Sequence, residues 1–492
     1  MKSTAFITST LLVAMGALRV LAANADQDRP NVLFAFADDW GRHAGAYGTD
    51  WLKTPTFDRI AKQGILFDQA YTAVAKCAPS RASVLTGRYP WQNEEVGNHL
   101  AFWPKGKFQT YIETLENNGY YAGRVGKGWS PGQPPEGRKL CGEIYLGQAG
   151  EYVKAFEAFL DDVPDGQPFH FWFCSSDPHR GYDKQKHTKE RLAQIDLPSY
   201  WEDTPALRQD VADYAFEVER FDSDTGKMIE VLKERGLLEN TLVIMSSDHG
   251  MPFPRSKGDT YMAGNHIPLS VMWKGHVKQP GRTCEAYVNF VDIAPTILEI
   301  AGVDHGTSAM AQIQGRSWIE IFEGKDIGKV IPERSFAQYG RERHDVRIRP
   351  GNAGYPSRAI RKGKFLYIKN LRPNLVPTSI AESGGIAQFR KLDKGSKYWR
   401  LLYGKRPAQE FYNVEDDPEC VNNLAGNPEY AKHMKAMRST LLNLLREQKD
   451  PRIMGGKVLF DTYPTTTPWR EFHEARSKRE ENHAKNREQT GD

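Results

Sequence analysis

The sequence predicts an α/β protein: a mixed, largely parallel sheet sandwiched by helices, followed by a smaller C-terminal antiparallel-sheet subdomain. Three observations predict it. Continuous apolar runs at Asn31–Ala37 (NVLFAFA), 168–174 (PFHFWFC) and 241–245 (TLVIM) read as strands buried on both faces, as in a parallel sheet covered by helices. Helix-period segments stand between these runs. From about residue 343 the texture changes to a hairpin pattern at 357–370, with Lys362-Gly363 at its turn. A chain of 492 residues exceeds one simple core and fits such a division.

Taken in order, the chain opens with Met1-Lys2, an apolar stretch over 5–21, and Ala23-Asn24-Ala25. These are the parts of a secretory signal over 1–25, so export to a periplasm or the medium is expected. The apolar run is short for a membrane span, and no integral membrane segment is expected after cleavage. A net charge of +4 is far from the basic excess of a nucleic-acid binder, and no nucleic-acid partner is expected.

The first strand ends in Asp38-Asp39-Trp40-Gly41. Carboxylates at the C-terminal end of a buried strand stand where open α/β sheets bind ligands, or else they cap a turn. Residues 54–65 read as a helix with an inner face of Phe57, Ile60 and Ala61, and 66–70 returns toward the sheet. The stretch 77–88 (CAPSRASVLTGR) puts a thiol at a helix start: Pro79 suits the first turn, and Gly87 stops the run. Unpaired N–H groups there favour anions, and Arg81 adds a cation one turn on. That combination can hold an oxyanion beside a nucleophile; a buried or disulfide-bonded cysteine remains equally open.

Residues 110–118 predict a helix, and the strand 120–125 leads into Gly126-Lys127-Gly128-Trp129-Ser130. The run at 168–174 empties into Asp177-Pro178-His179-Arg180. A long helix over 204–234 carries Val211, Tyr214, Ala215, Val218 and Phe221 on one face. The strand at 241–245 ends in Asp248-His249-Gly250 and so repeats the design of the first; two such ends side by side would aim three carboxylates at one point. Residues 267–273 and 290–300 read as a strand and a helix. Residues 427–449 form an amphipathic helix with Met434, Met437, Leu441, Leu444 and Leu445 on its apolar face, and the charged tail after 470 lacks periodicity. The organisation expected is 26–342 catalytic, 343–470 C-terminal subdomain, and 471–492 tail.

Cys77-x-Pro79-Ser80-Arg81 followed by Ala82-Ser83-x-Leu85-Thr86-Gly87 resembles the signature of the type I sulfatases. The resemblance implies an alkaline-phosphatase-like fold. It also implies that Cys77 is converted to formylglycine by a formylglycine-generating or an anaerobic sulfatase-maturating enzyme. Carried over residue by residue, it makes Asp38, Asp39, Asp248 and His249, with residue 77, the metal ligands. An oxygen-rich set suits Ca²⁺, and the imidazole also admits Mn²⁺. Arg81 would steady the hydrated aldehyde. Lys127, His179 and Lys257 would contact the sulfate, with His179 and Lys257 as candidates to protonate the leaving oxygen. With Cys77 converted, Cys141, Cys174, Cys284 and Cys420 are enough for two disulfides in an oxidising compartment.

The chain departs from the family at His249, where Asn or Gln is frequent, and at Trp129-Ser130, where a histidine often contacts the diol. His43 and His99 are the nearby substitutes. Asp177-Pro178-His179-Arg180 and the segment 248–254 resemble the sulfamidase-like branch, with Lys257 where that branch has arginine. The expected substrate is a sulfated carbohydrate, O-sulfated in the first reading and N-sulfoglucosamine in the second. A phosphonate monoester or phosphodiester substrate, and a non-catalytic sulfated-glycan binder, are the other readings. Trp51, Trp91, Trp103 and Trp129 are candidates to stack on sugar rings or simply to pack, and Arg341, Arg343, Arg347 and Arg349 to face an anionic glycan or solvent.

Overall fold

The computed structural model describes residues 29–344, 349, 352–377, 389, 391–456 and 459–467. Residues 1–25 and 471–492, read above as an export signal and a tail, lie outside them, as does Arg347.

The central sheet has eight strands: β1 (Asn31–Ala37), β2 (Ile65–Phe67), β3 (Tyr121–Gly126), β4 (Glu143–Tyr145), β5 (Phe169–Cys174), β6 (Thr241–Ser247), β7 (Leu269–Met272) and β8 (Arg282–Cys284). Their order across the sheet is β8-β2-β7-β6-β1-β5-β3-β4. Every pairing is parallel except the two that β7 makes. β1 lies at the centre, and its register aligns Ala37 with Ser247 of β6.

The unbroken apolar runs follow from that position. Successive side chains of a strand face opposite ways. Val32, Phe34 and Phe36 enter one core layer with Ala78, Ala82 and Leu85 of α2 (Cys77–Thr86) and with α6 (Ile293–Ile300). Leu33, Ala35 and Ala37 enter the other, with α1 (Pro55–Gln63), α4 (Tyr152–Asp162) and the long α5 (Pro205–Glu234). A third helix on the first face, α3 (Tyr111–Glu116), opens with a capping box from Thr110 and Glu113. A strand covered on both sides has no polar face to keep, so alternation vanishes from its sequence.

A separate four-stranded antiparallel sheet follows: β9 (Phe336–Arg341), β10 (Ser357–Lys362), β11 (Phe365–Asn370) and β12 (Gln409–Asn413), in that order. The helix α7 (Ala431–Glu447) packs on it through Met437, Leu441 and Leu445. The sheet takes its first strand from residues upstream of 343, where the change of texture was read. No helix among the described residues is long and apolar enough to cross a membrane.

All five cysteines are free and buried, so the two disulfides for which four of them would be enough are not formed here. Cys141, Cys174 and Cys284 pack into the large core layer, and Cys420 into a cluster beneath the small sheet. They act as small apolar fillers, and burial pushes Cys141, Cys284 and Cys420 up to about 12.

Candidate active site

The site lies at the C-terminal ends of the central strands. β1 delivers Asp38 and Asp39, and β6 delivers Asp248 and His249. The adjacency of those strands is what joins the two pairs: Asp39 N–H donates to Asp248 Oδ1 at 3.0 Å, and Asp248 N–H to Ala37 O at 3.2 Å. Asp39 takes a left-handed backbone (φ 77°), which a bulkier side chain would resist, and so turns the chain over the sheet edge. Gly250 follows for a steric reason: a Cβ there would meet Ala263 O at 1.9 Å.

The helix α2 presents Cys77 as its first residue and ends at Gly87 in the left-handed conformation. Two side chains fasten its first turns to the strand ends. Ser80 Oγ donates to Asp248 O at 2.7 Å, and Arg81 Nε donates to Asp248 Oδ2 at 2.9 Å. Arg81 also donates to Gly128 O at 3.0 Å and lies 3.6 Å from Asp38 Oδ1. Wholly buried, this guanidinium is a positioning group between two carboxylates.

The ligand atoms of Asp38, Asp39, Cys77, Asp248 and His249 all lie within 4.8 Å of one another. Cys77 Sγ is 3.4 Å from His249 Nε2, which is 3.1 Å from Asp39 Oδ1. His249 Nδ1–H donates to Gly250 O at 2.9 Å, which fixes the tautomer whose Nε2 lone pair faces the cluster. Asp38 Oδ1 is buried and accepts no hydrogen bond. Arg81 at 3.6 Å is beyond hydrogen-bond reach of it, so this buried oxygen is left free to join the neighbouring ligand atoms, and the residues fit a metal ion.

Three basic residues surround the cluster. Lys127, held after β3 by its N–H to Cys174 O at 2.8 Å, pairs with Asp38 Oδ2. Lys257 Nζ donates to both Asp39 oxygens at 2.8 and 2.6 Å. His179, after β5, brings Nε2 to 4.0 Å from Asp39 and is 41% exposed. Burial works against charge here, yet these partners win: Lys127, His179 and Arg81 hold Asp38 well below the usual carboxylate range, and Lys257 with His249 brings Asp39 to about 2. Burial also opposes a Cys77 thiolate, but Lys127 and Lys257 bring the thiol down to about 5. Burial raises Asp248 to about 7, helped by Asp38 and Cys77 and opposed by His249 and Arg81. Among the protein groups alone, Asp248 and Asp39 outweigh burial and push His249 up to about 9; a cation between the same carboxylates reverses that sign.

The cluster opens into a cleft of about 1030 Å³. Every residue assigned from the sequence therefore gathers here, at or beside the cluster. Other expectations are corrected. Trp129 is buried, donates Nε1–H to Ala78 O at 3.0 Å and meets Trp103 edge-on, so it buttresses the first turn of α2. Trp51, Trp91 and Trp103 are buried too, and none of the four offers a face to a sugar. Arg341 pairs with Asp259, Arg343 donates to the carbonyls of residues 461, 463 and 464, and Arg349 donates to those of residues 353, 376 and 377. All three are internal fasteners. His43 packs at a tilt against Trp51, with ring centroids 5.1 Å apart, and does not line the cleft; burial, with Arg42, lowers it to about 4. His99 does line it, as do Lys76, Gln148, Tyr152, Glu217 and Arg220, none of which the motifs singled out. A signal for the last two was present: Asp213, Glu217, Arg220 and Asp224 recur at helical spacing on one face, and that face is largely buried although it is charged.

Comparison with known proteins returns a family model described as Sulfatase, matched over residues 30–303. The chain is 27% identical to human N-sulphoglucosamine sulphohydrolase, over 90% of this chain and 93% of that protein. It is also 27% identical to an ulvan-active sulfatase of Formosa agariphila, over 87% and 82%. Among solved structures it resembles a phosphonate monoester hydrolase of Agrobacterium radiobacter with a TM-score of 0.66 and 17% identity, over 86% of this chain and 97% of that one. That last likeness speaks for the fold alone.

Proposed function

The chain belongs to the sulfatase family, a sulfuric ester hydrolase by descent, and we propose that it removes sulfate from a sulfated carbohydrate at the cluster around residue 77. The observation carrying this reading is that five ligand atoms from two strand ends and one helix start lie within 4.8 Å, ringed by Lys127, Lys257 and His179. A formylglycine hydrate at position 77 would supply the nucleophilic oxygen, and a divalent cation, Ca²⁺ in the first instance and Mn²⁺ in the second, held by Asp38, Asp39, Asp248 and His249, would polarise the sulfuryl oxygens.

The protein's own groups divide the remaining work. Lys127 and Lys257 neutralise the peripheral sulfate oxygens, which otherwise repel a nucleophile. Arg81 holds the orientation of Asp248. His179 stands on the open side of the cluster, where a bulky leaving group must exit. We assign it the proton delivered to the leaving oxygen, while Lys257, buried against Asp39, stays a charge-stabilising group. Cys77 is only 1% exposed, so a maturating enzyme must reach it before this fold closes. The signal-like pattern of residues 1–25 supports export.

An O-sulfated sugar is the first reading for the bond cleaved. N-sulfoglucosamine is the second, favoured by the likeness to the human sulphohydrolase along 90% of the chain. The test is to purify the protein with a maturating enzyme co-expressed. Turnover of an aryl sulfate, an aryl phosphonate diester, and O- and N-sulfated glucosamines would be compared, with a mass measurement of the peptide containing residue 77. Aryl sulfate and a sulfated sugar should be hydrolysed, the peptide should carry the aldehyde mass, and Cys77→Ala should be inactive yet folded. Preference for the phosphonate diester, or an active chain with an unmodified thiol, would overturn the assignment.

A further inference from the structure

The cleft is far larger than one sulfate, so most of it receives the remainder of the substrate. A distinct part of its wall is built by α4, α5 and the segment after β5, and includes Tyr152, Asp177, Asp183, Glu217 and Arg220. An arginine beside a sulfate site would serve as counter-ion for a second anionic group, but Arg220 is already committed. Its Nε and Nη2 donate to the two oxygens of Asp177 at 2.7 and 2.8 Å, and its Nη1 pairs with Asp183. Glu217 lies 3.6 Å from the same guanidinium and accepts the Asp183 N–H at 2.9 Å. Arg180, the other guanidinium on this wall, is bidentate to Asp210 at 2.9 and 2.6 Å and donates Nε–H to Pro252 O.

Three carboxylates thus share one guanidinium. Asp183 is 63% exposed, so one of them faces incoming ligand directly. Even with Glu217 raised by burial to about 7, the wall carries net negative charge at neutral pH, whereas Lys127, Lys257 and Arg81 crowd the cluster end. Carboxylates accept hydrogen bonds from hydroxyl groups and repel anions, more so inside a cleft than in bulk water.

Building on the sulfatase reading above, we propose that the Asp177–Asp183–Glu217–Arg220 wall is a charge filter: it accepts a hydroxyl-bearing sugar edge and rejects a second sulfate or carboxylate on that edge. The preferred substrate is then a sugar that brings a single anionic group into the cleft.

The experiment uses matured full-length enzyme and hexoses monosulfated at each position, each paired with its disulfated counterpart. In the pair that is turned over, kcat/KM for the monosulfated member should exceed that for the disulfated one at least tenfold, and added salt should narrow the gap. Asp183→Asn releases an Arg220 donor and removes an exposed charge, so it should narrow the ratio at least fivefold through KM for the disulfated sugar, and Asp183→Glu should restore it. Equal or better turnover of the disulfated sugar, or a ratio that Asp183→Asn leaves unmoved, overturns the inference alone. No turnover of any sugar or of aryl sulfate overturns the sulfatase reading, and this inference with it.

Discussion

Asp248 touches most of what the site needs. Its Oδ2 accepts from Arg81, its Oδ1 accepts from the Asp39 amide, and its carbonyl holds Ser80 of α2. Replacing the carboxylate by an amide removes one negative charge from the cluster and leaves a buried guanidinium leaning on Asp38 alone. Asp248→Asn should therefore lose most bound divalent metal on dialysis, where wild type retains about one ion per chain, and kcat should fall on the order of 100-fold or more. Its melting midpoint should also drop, because removing one member of a buried pair costs about 3–5 kcal/mol when nothing else compensates, and less here through Asp38. Metal content measured by elemental analysis decides it, and an unchanged value would take Asp248 out of the ligand set. Residues such as this one were legible because two buried apolar runs end alike in acidic residues and the motif at Cys77 resembles that of a family which uses them. Trp129, Arg341 and Arg343 were not, because a sequence shows that a ring or a guanidinium is present and not whether its donors are already spent on backbone carbonyls.

Strands and helices carry a second kind of information, the groups they bury without using. β5 places His170 in the core with no exposure, against the Tyr111 hydroxyl of α3 at 2.9 Å. Burial pushes this imidazole down to about 3. In the unfolded chain it takes a proton near pH 6.5, so below that pH the unfolded state binds a proton that the folded state refuses until about pH 3, and stability falls as pH falls through this window. Relative to His170→Gln, wild type should lose about 1.6 kcal/mol between pH 6.5 and 5. His43 and His266, also depressed by burial, cancel in that difference. Paired denaturant titrations would read it, and parallel pH profiles would mean that His170 takes its proton inside the fold. The existence of β5 was legible from its apolar run; the burial of this one polar residue within it was not. The charged stripe of α5 makes the complementary case, since Val211, Ala215, Val218 and Phe221 announced the core face, while Glu217 and Arg220 one step around the helix announced the cleft.

At the scale of the whole molecule, the large unit lines the cleft and the small sheet braces one side of it. The large sheet supplies the cluster, but His99 hangs from the far side: its N–H donates to Arg343 O at 3.1 Å, and Arg343 N–H donates to Asn98 Oδ1 at 3.1 Å. Immediately before Arg343 stands Glu342, wholly buried between Arg358 and Arg452, with Asp450 completing the group through Arg358 Nε at 2.7 Å. This network ties β9, β10 and the segment after α7 into one block. It was illegible in sequence, because its four members are spread over more than one hundred positions and follow no spacing, whereas the apolar face of α7 repeats every three or four residues. Arg358→Met leaves Glu342 to Arg452 and, among the described residues, leaves the Asp450 carboxylate with only the Arg452 backbone N–H, which costs about 3–5 kcal/mol for a buried ion pair broken from one side. The variant should melt earlier, become cleavable by protease within the C-terminal block, and show a raised KM as the wall bearing His99 loosens. Its metal content should match wild type, since Asp38, Asp39 and Asp248 stand at the ends of β1 and β6 in the large sheet. Loss of metal together with the block would mean instead that the small sheet holds the cluster in place, and that the two cores are one cooperative unit.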